Sequence, residues 1–442
     1  MFRELLGNTA WSLVAAAVAR TATLVAHVLT IRWLGSEDYG AVALVQTTVL
    51  TTAAAIGLGL GAAATKIVSR GLAQGSTNLV REVGTLTYWV IALAATCGGL
   101  QFAARNSIAM LISPDASGLA DALAPGSALL IFTAISLFQI GVLSGFRAFR
   151  NAAICNLVSA LLTVAFTILG VLYGPLGIVG ALAAGQGVAC ALQHLAVLKC
   201  LREHRVTQRN SLPTMARSSL LAMVTPIVLL QAVTAPADLF CLSLLSRTPG
   251  GPAEVGVFCA AALWTHLLRF FPLALATACL PQVVHAANTG DRPAYRKLTL
   301  GILGIGLIAS APGAVLIIVF DTQLLAWFGG SLASREVLLG IVSATGVAVS
   351  LQLITEKILL GSQTAWLPLG FAIARCGAFC GLAMASPSLD AERLSLIRLA
   401  VYFSHAILAV AIVLYLRPSR EEISAGTNSV QCESNFRGRT AA

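Results

Sequence analysis

Residues 9–40 read TAWSLVAAAVARTATLVAHVLTIRWLGSEDYG. From 9 to 31 the run is apolar, relieved only by small hydroxyl residues, Arg20 and His27. Arg32, Ser36, Glu37 and Asp38 then gather around Gly35. A helix of roughly 20 apolar residues crosses a bilayer, so this stretch reads as one crossing that ends in a short polar turn. Residues 40–65 repeat the pattern at once. Two crossings joined by so few polar residues belong to a chain that spans a membrane many times.

Composition agrees. Of 442 residues, 57% are hydrophobic and 10% charged, with a mean hydropathy of +0.85, against roughly 45–50% and about 25% in soluble domains. So little charge cannot cover a water-facing surface, which excludes a soluble enzyme, a nucleic-acid-binding domain and a disordered scaffold. Twelve helices of ~20 apolar residues would use nearly all of the hydrophobic residues. Such runs fall at 9–31, 40–65, 83–104, 122–144, 152–172 and 176–198, and again at 219–245, 255–284, 299–320, 336–360, 365–385 and 396–416. The triplet Ala17-Val18-Ala19 mimics a signal-peptidase site, but the apolar run continues to Ile31, so it reads as a first span. The ten cysteines show no CxxC pair and no His/Cys zinc spacing, so they read as small packing residues. No metal or cofactor is expected.

The net charge of +10 could point to an anionic partner, and the placement of the 28 basic residues decides the matter. With the N-terminus cytoplasmic, nineteen fall in inside loops and only Arg32, Arg105, Arg247, Arg335, Arg393 and Arg398 fall outside. That bias is the positive-inside signal. It places both termini in the cytoplasm, requires an even number of spans, and removes the nucleic-acid reading. The expected fold is an all-α polytopic membrane protein of about twelve transmembrane helices in two six-helix lobes around a central cavity. The lobes are 1–198 and 219–416, joined by a basic cytoplasmic linker at 199–218 and followed by a polar, disordered cytoplasmic tail at 417–442.

The halves echo one another. Glu37-Asp38-Tyr39-Gly40 opens span two and Ala253-Glu254-Val255-Gly256 opens span eight, an offset of 216 between the glycines. Arg20, Thr23 and His27 of span one share the i, i+3, i+7 spacing of Gln231, Thr234 and Asp238 of span seven, at an offset of 211. Each triplet lies on one helical face. An even number of spans per half makes this a parallel repeat.

Arg20, Arg269 and Arg375 remain, each inside a predicted span. A central arginine costs about 2.5–3.5 kcal/mol on insertion scales, so such residues face a wet cavity, an anionic ligand or a buried acid. Only Asp238 lies clearly inside a span, with Glu356 near the inner end of span ten, so positive charge is in excess. His27 shares the Arg20 face and His266 lies one turn from Arg269. A forked, permanently charged lining of this kind suits phosphate or diphosphate. His27 and His266 fit a structural interhelical role as well as a ligand role, and His405 reads as structural. Pro226, Pro236, Pro272 and Pro281 read as kinks.

Arg32-Trp33-Leu34-Gly35-Ser36-Glu37-Asp38-Tyr39-Gly40, then Gly57-Leu58-Gly59-Leu60 and Ala64-Thr65-Lys66, resembles the N-terminal signature of bacterial polysaccharide flippases. These form the oligosaccharide branch of the multidrug/oligosaccharidyl-lipid/polysaccharide exporter superfamily. Gly145-Phe146-Arg147-Ala148-Phe149-Arg150-Asn151, Gly174-Pro175-Leu176-Gly177 and Glu254-Val255-Gly256-Val257-Phe258 with Leu280-Pro281 extend the likeness over 1–415. The resemblance implies a V-shaped cavity opening alternately to each side of a bacterial inner membrane. It implies movement of a polyprenyl-diphosphate-linked oligosaccharide to the periplasmic leaflet, with Arg20 and Arg269 on the diphosphate. Arg375 would add to the field, and Gln231, Asp238, Thr23 and Thr234 would bind sugar or gate the lobes. Expected partners are that lipid-linked substrate, membrane lipids and other glycan-assembly proteins. A multidrug/cation exporter of the same fold is the alternative. A membrane-embedded glycan polymerase ranks lower, because the outside loops are too short to hold catalytic groups.

Overall fold

The computed structural model describes residues 2–74, 79–114, 118–205, 217–273, 283, 292–328, 335–361 and 366–415. Most of the linker, Cys279, Pro281 and the tail expected at 417–442 lie outside them. Every regular element described is helical: α1 (Phe2–Gln74), α2 (Leu79–Ala103), α3 (Arg105–Ile112), α4 (Leu119–Gly145), α5 (Phe149–Gly170), α6 (Gly174–Arg205), α7 (Arg217–Ser246), α8 (Gly251–Leu268), α9 (Arg292–Val319), α10 (Asp321–Phe328), α11 (Glu336–Gly361), α12 (Trp366–Ala385) and α13 (Ala391–Tyr415). Among the described residues, ten stretches are long and apolar enough to cross a membrane. Two of these, Ala17–Ser69 and Phe149–Glu203, are 53 and 55 residues long, about twice what one crossing needs.

Each double stretch folds back on itself. In α1 the break is Gly35, at φ 84° and ψ 174°, a backbone region that a Cβ disfavours. The Tyr39 hydroxyl lies 3.2 Å from His27 Nδ1. Twelve residues of straight helix would separate them by about 18 Å, so the chain reverses at Gly35. The second reversal, at Val171–Tyr173 and Gly174, brings Gly170 against Gly177: a Cβ on Gly177 would lie 2.1 Å from the Gly170 oxygen. Counted this way, the ten stretches make twelve crossings.

Small residues set the closest packing, as they do where helices associate in lipid. Gly57, Gly61, Thr65 and Ser69 recur at i+4 on α1 and face α4. Thr65 Oγ1 donates to the Gly141 oxygen at 2.7 Å, and Ser69 Oγ to that of Gly145 at 3.4 Å. α1, α2, α4, α5 and α6 pack together, as do α7 to α9 with α11 to α13; α1 meets α7 and α8 across the middle.

The repeat is visible where the halves touch. A Cβ on Gly40 would lie 1.9 Å from the Pro252 oxygen, and one on Gly256 would lie 1.9 Å from the Ser36 oxygen. Ser36 and Pro252 are related by the same offset of 216 as the two glycines, so the contact is reciprocal, as a two-fold axis requires. At this Gly35 end the halves are also tied by Ser243 Oγ and Ser246 Oγ, which donate to the Ile112 oxygen at 2.9 and 2.8 Å. Arg247 donates to the Leu111 oxygen beside them.

The Gly35 end of the second half is held by charge. Arg335 bonds Glu254 at 2.6 Å and Glu392 at 3.4 Å, and Glu254 also accepts the Ala391 N–H at 2.9 Å. Burial works against the Arg335 charge, but the two carboxylates more than offset it and hold its pKa above the ordinary value. One cluster therefore fixes the starts of α8, α11 and α13.

Candidate cationic cavity

Between the halves lies a cavity of about 510 Å³. It draws on both limbs of α1, on α7 and α8, on Phe379 of α12, and on Leu394 and Arg398 of α13. Eight of the nine residues singled out from sequence line it: Arg20, Thr23 and His27; Gln231, Thr234 and Asp238; His266 and Arg269. The i, i+3, i+7 spacing of the two triplets turns both onto the cavity, one from each half. Three guanidiniums share this lining with one carboxylate, Asp238, because Arg398 of α13 joins Arg20 and Arg269.

The side chains are held differently. Arg269 is hydrogen-bonded to His266 Nδ1 at the point where α8 gives way to a turn. His27 is tied to Tyr39, edge-on with ring centroids 5.9 Å apart. Thr23 and Thr234 donate to carbonyls of their own helices, Ala19 at 3.0 Å and Leu230 at 2.9 Å, which leaves their hydroxyl oxygens free to accept. Arg398 sits over the rings of Phe258 and Tyr402, at 5.7 and 5.5 Å. The basic groups are staggered in depth. At 1.5 Å per residue, Arg398 lies about 10 Å from the start of α13, Arg20 about 22 Å from Gly35, and Arg269 about 27 Å from the start of α8.

Arg375 is placed elsewhere. It is buried, bonds Glu356 of α11 at 3.1 Å and sits 5.0 Å from the centroid of the Tyr402 ring. The cavity field expected of it is met by a neighbouring carboxylate, which Gln352 steadies at 2.7 Å. Losing one partner of such a pair leaves a buried charge uncompensated, worth about 3–5 kcal/mol. Arg375→Ala is therefore expected to lower protein level and melting temperature, and Arg375→Met combined with Glu356→Gln to recover most of both. Thermal unfolding of the purified variants checks this. His405 is buried against Phe371, edge-on at 5.6 Å.

Arg398 was expected in an outside loop, with span twelve starting at 396. The structure starts α13 at Ala391, where Asp390 caps it by accepting the Arg393 N–H at 2.8 Å. Asp390 followed by Glu392 is a helix-start signal. Read as one, it moves Arg398 from the loop into the membrane.

Relatives bear on the family. The chain is 25% identical over 349 residues to the EPS I polysaccharide export inner membrane protein EpsE of Ralstonia nicotianae, covering 76% of this chain and 78% of that one. It is 24% identical to the protein of the same name from Ralstonia solanacearum, over the same shares. Among solved structures it resembles an inward-facing multidrug resistance MATE family transporter of the MOP superfamily. That match has a TM-score of 0.75 at 16% identity, covering 91% of this chain and 97% of that one. It also resembles a MOP superfamily transporter of Pyrococcus furiosus described as having a binding pocket of reversed polarity, with a TM-score of 0.70 at 19% identity and coverage of 92% and 96%. At these identities the structural matches show the fold alone, that of a polytopic all-α membrane protein. The family model described as polysaccharide biosynthesis protein matches residues 5–282, well over half of the sequence, and the chain belongs to that family.

Proposed function

We propose that the protein is a flippase of the inner membrane that carries a polyprenyl-diphosphate-linked oligosaccharide to the periplasmic leaflet by alternating access. The observation that carries this reading is the lining itself, with Arg20, Arg269 and Arg398 opposite a single Asp238 in one cavity between the halves. A hydroxyl-rich head group cannot enter hydrocarbon without losing its hydrogen bonds. A cavity with Gln231, Thr23, Thr234 and Asp238 on its walls can replace those bonds, while the guanidiniums neutralise the diphosphate. The lobes are read as 1–198 and 219–416, which move against one another about the reciprocal contact at Gly40 and Gly256. The excess of basic loops sets both termini in the cytoplasm, so the Gly35 end, closed here, is periplasmic and the cavity faces the cytoplasm.

The multidrug fold of the structural relatives favours a second reading, export of organic cations. A cavity with three guanidiniums to one carboxylate repels such cargo. Deleting the gene separates the two. The flippase reading expects lipid-linked repeat units to accumulate on the cytoplasmic leaflet, with unchanged susceptibility to cationic drugs. Accumulation on the periplasmic leaflet would instead indicate a polymerase, and drug hypersensitivity an exporter.

A further inference from the structure

A second concavity, of about 560 Å³, lies on the other side of α8, between that helix, α9 and α10. Trp264, Leu267, Phe271, Leu316, Phe320 and Trp327 line it. We infer that this groove holds the isoprenoid tail of the lipid-linked glycan, an inference that rests on the reading of the cationic cavity as a diphosphate-sugar site.

Three observations select this occupant. First, groove and cavity share a wall. Leu267 lines both, and it stands between His266 and Arg269, whose side chains face the cavity. One turn of α8 thus serves a molecule with an anionic head and an apolar tail. A free sugar nucleotide would use only the cavity, and a phospholipid, whose head is one phosphodiester without a glycan, would leave Gln231, Thr234 and Asp238 of the cavity wall unused. Second, the groove follows α9 from Ala309 to Phe320. Those eleven residues rise about 16 Å, one leaflet of a hydrocarbon core of ~30 Å. Third, the groove is deepened by a residue without a side chain and lined by rings. A Cβ on Gly313 would lie 2.8 Å from Leu268 Cδ2, and Phe271, Phe320 and Trp327 are 51%, 48% and 53% exposed. Exposed ring faces suit the methyl branches and double bonds of an isoprenoid chain, with Trp264 as the buried floor.

The test uses full-length protein in nanodiscs of phosphatidylethanolamine and phosphatidylglycerol. The probe is a polyprenyl diphosphate N-acetylglucosamine carrying a diazirine in its isoprenoid tail. Photolabelling is expected on 264–271 and 309–327, reduced roughly tenfold by excess unlabelled compound and unaffected by the same amount of added phosphatidylglycerol. Leu316→Trp, at a site already 57% exposed, is expected to reduce this labelling about fivefold, within the range of one blocked hydrophobic contact. It should leave binding of a geranyl-tailed diphosphate sugar at the wild-type value. Labelling elsewhere, equal competition by phosphatidylglycerol (bulk lipid only), or an unaltered Leu316→Trp profile would overturn the assignment. Failure of the geranyl-tailed probe to bind the wild type would overturn the cavity reading, and this inference with it.

Discussion

Arg20→Ala and Arg269→Ala are each expected to reduce surface polysaccharide at least tenfold while the protein accumulates at its normal level. A hydrogen bond to a charged group is worth about 1.5–3 kcal/mol, and each 1.4 kcal/mol is tenfold in affinity, so one lost fork weakens diphosphate binding by roughly 10- to 100-fold. Stability moves the other way. Each guanidinium carries an insertion cost of about 2.5–3.5 kcal/mol, so alanine at either position should insert and fold no worse than arginine. Lysine keeps the charge and loses the planar fork, so Arg20→Lys and Arg269→Lys should retain part of the activity. Arg398→Ala belongs to the same series, and Arg375→Ala provides the contrast, losing protein before it loses function. Quantified polysaccharide against immunoblotted protein separates the two patterns. Full export from well-expressed Arg20→Ala and Arg269→Ala would remove these residues from the site.

The second large effect is expected at the contact between the halves. Gly40→Ala would set a methyl group 1.9 Å from the Pro252 oxygen, and Gly256→Ala would do the same to Ser36. Backbone cannot yield as a flexible side chain does, so the two helices must part. Overpacking of this kind costs about 1–3 kcal/mol, and here the cost falls only on the conformation closed at the Gly35 end. The population should therefore shift by roughly 5- to 100-fold toward one open at that end. The reporter is a cysteine pair at Ile112 and Ser246, whose backbone oxygen and hydroxyl are 2.8 Å apart. Cross-linking is expected to be efficient in the parent and to fall about tenfold with Gly40→Ala, with protein level near normal. Unchanged cross-linking would mean that the two glycines do not set the closure.

Much of this was legible in the sequence because the bilayer limits what a chain can do. Apolar runs with polar punctuation located the crossings, and the i, i+3, i+7 triplets located the cavity faces, since helical periodicity fixes which side chains share a side. The offset of 216 between Gly40 and Gly256 foretold a repeat; that the two glycines touch is a tertiary fact with no local signature. Arg375 and Arg398 mark the limit. Both are arginines near carboxylates in sequence or in space, and hydropathy assigns neither a partner. Glu356 was visible as an inner-end acid, but only packing of α11 against α12 makes it the partner of Arg375. Arg398 lay two residues inside the expected start of span twelve, and a boundary shift of five residues changed its role. The cap at Asp390 carried that information, whereas the apolar run did not.

Transfer of an anionic, glycan-bearing lipid between leaflets is the step on which the proposed function stands. It is tested most directly with purified protein in liposomes loaded with a fluorescent polyprenyl-diphosphate oligosaccharide, by following how fast inner-leaflet probe becomes accessible to an external glycosidase. Exposure is expected to run well above that of protein-free liposomes, to fall to background with Arg20→Ala plus Arg269→Ala, and to be little altered by cationic drugs. Exposure at the protein-free rate, or an undiminished rate in the double variant, would contradict the proposed function.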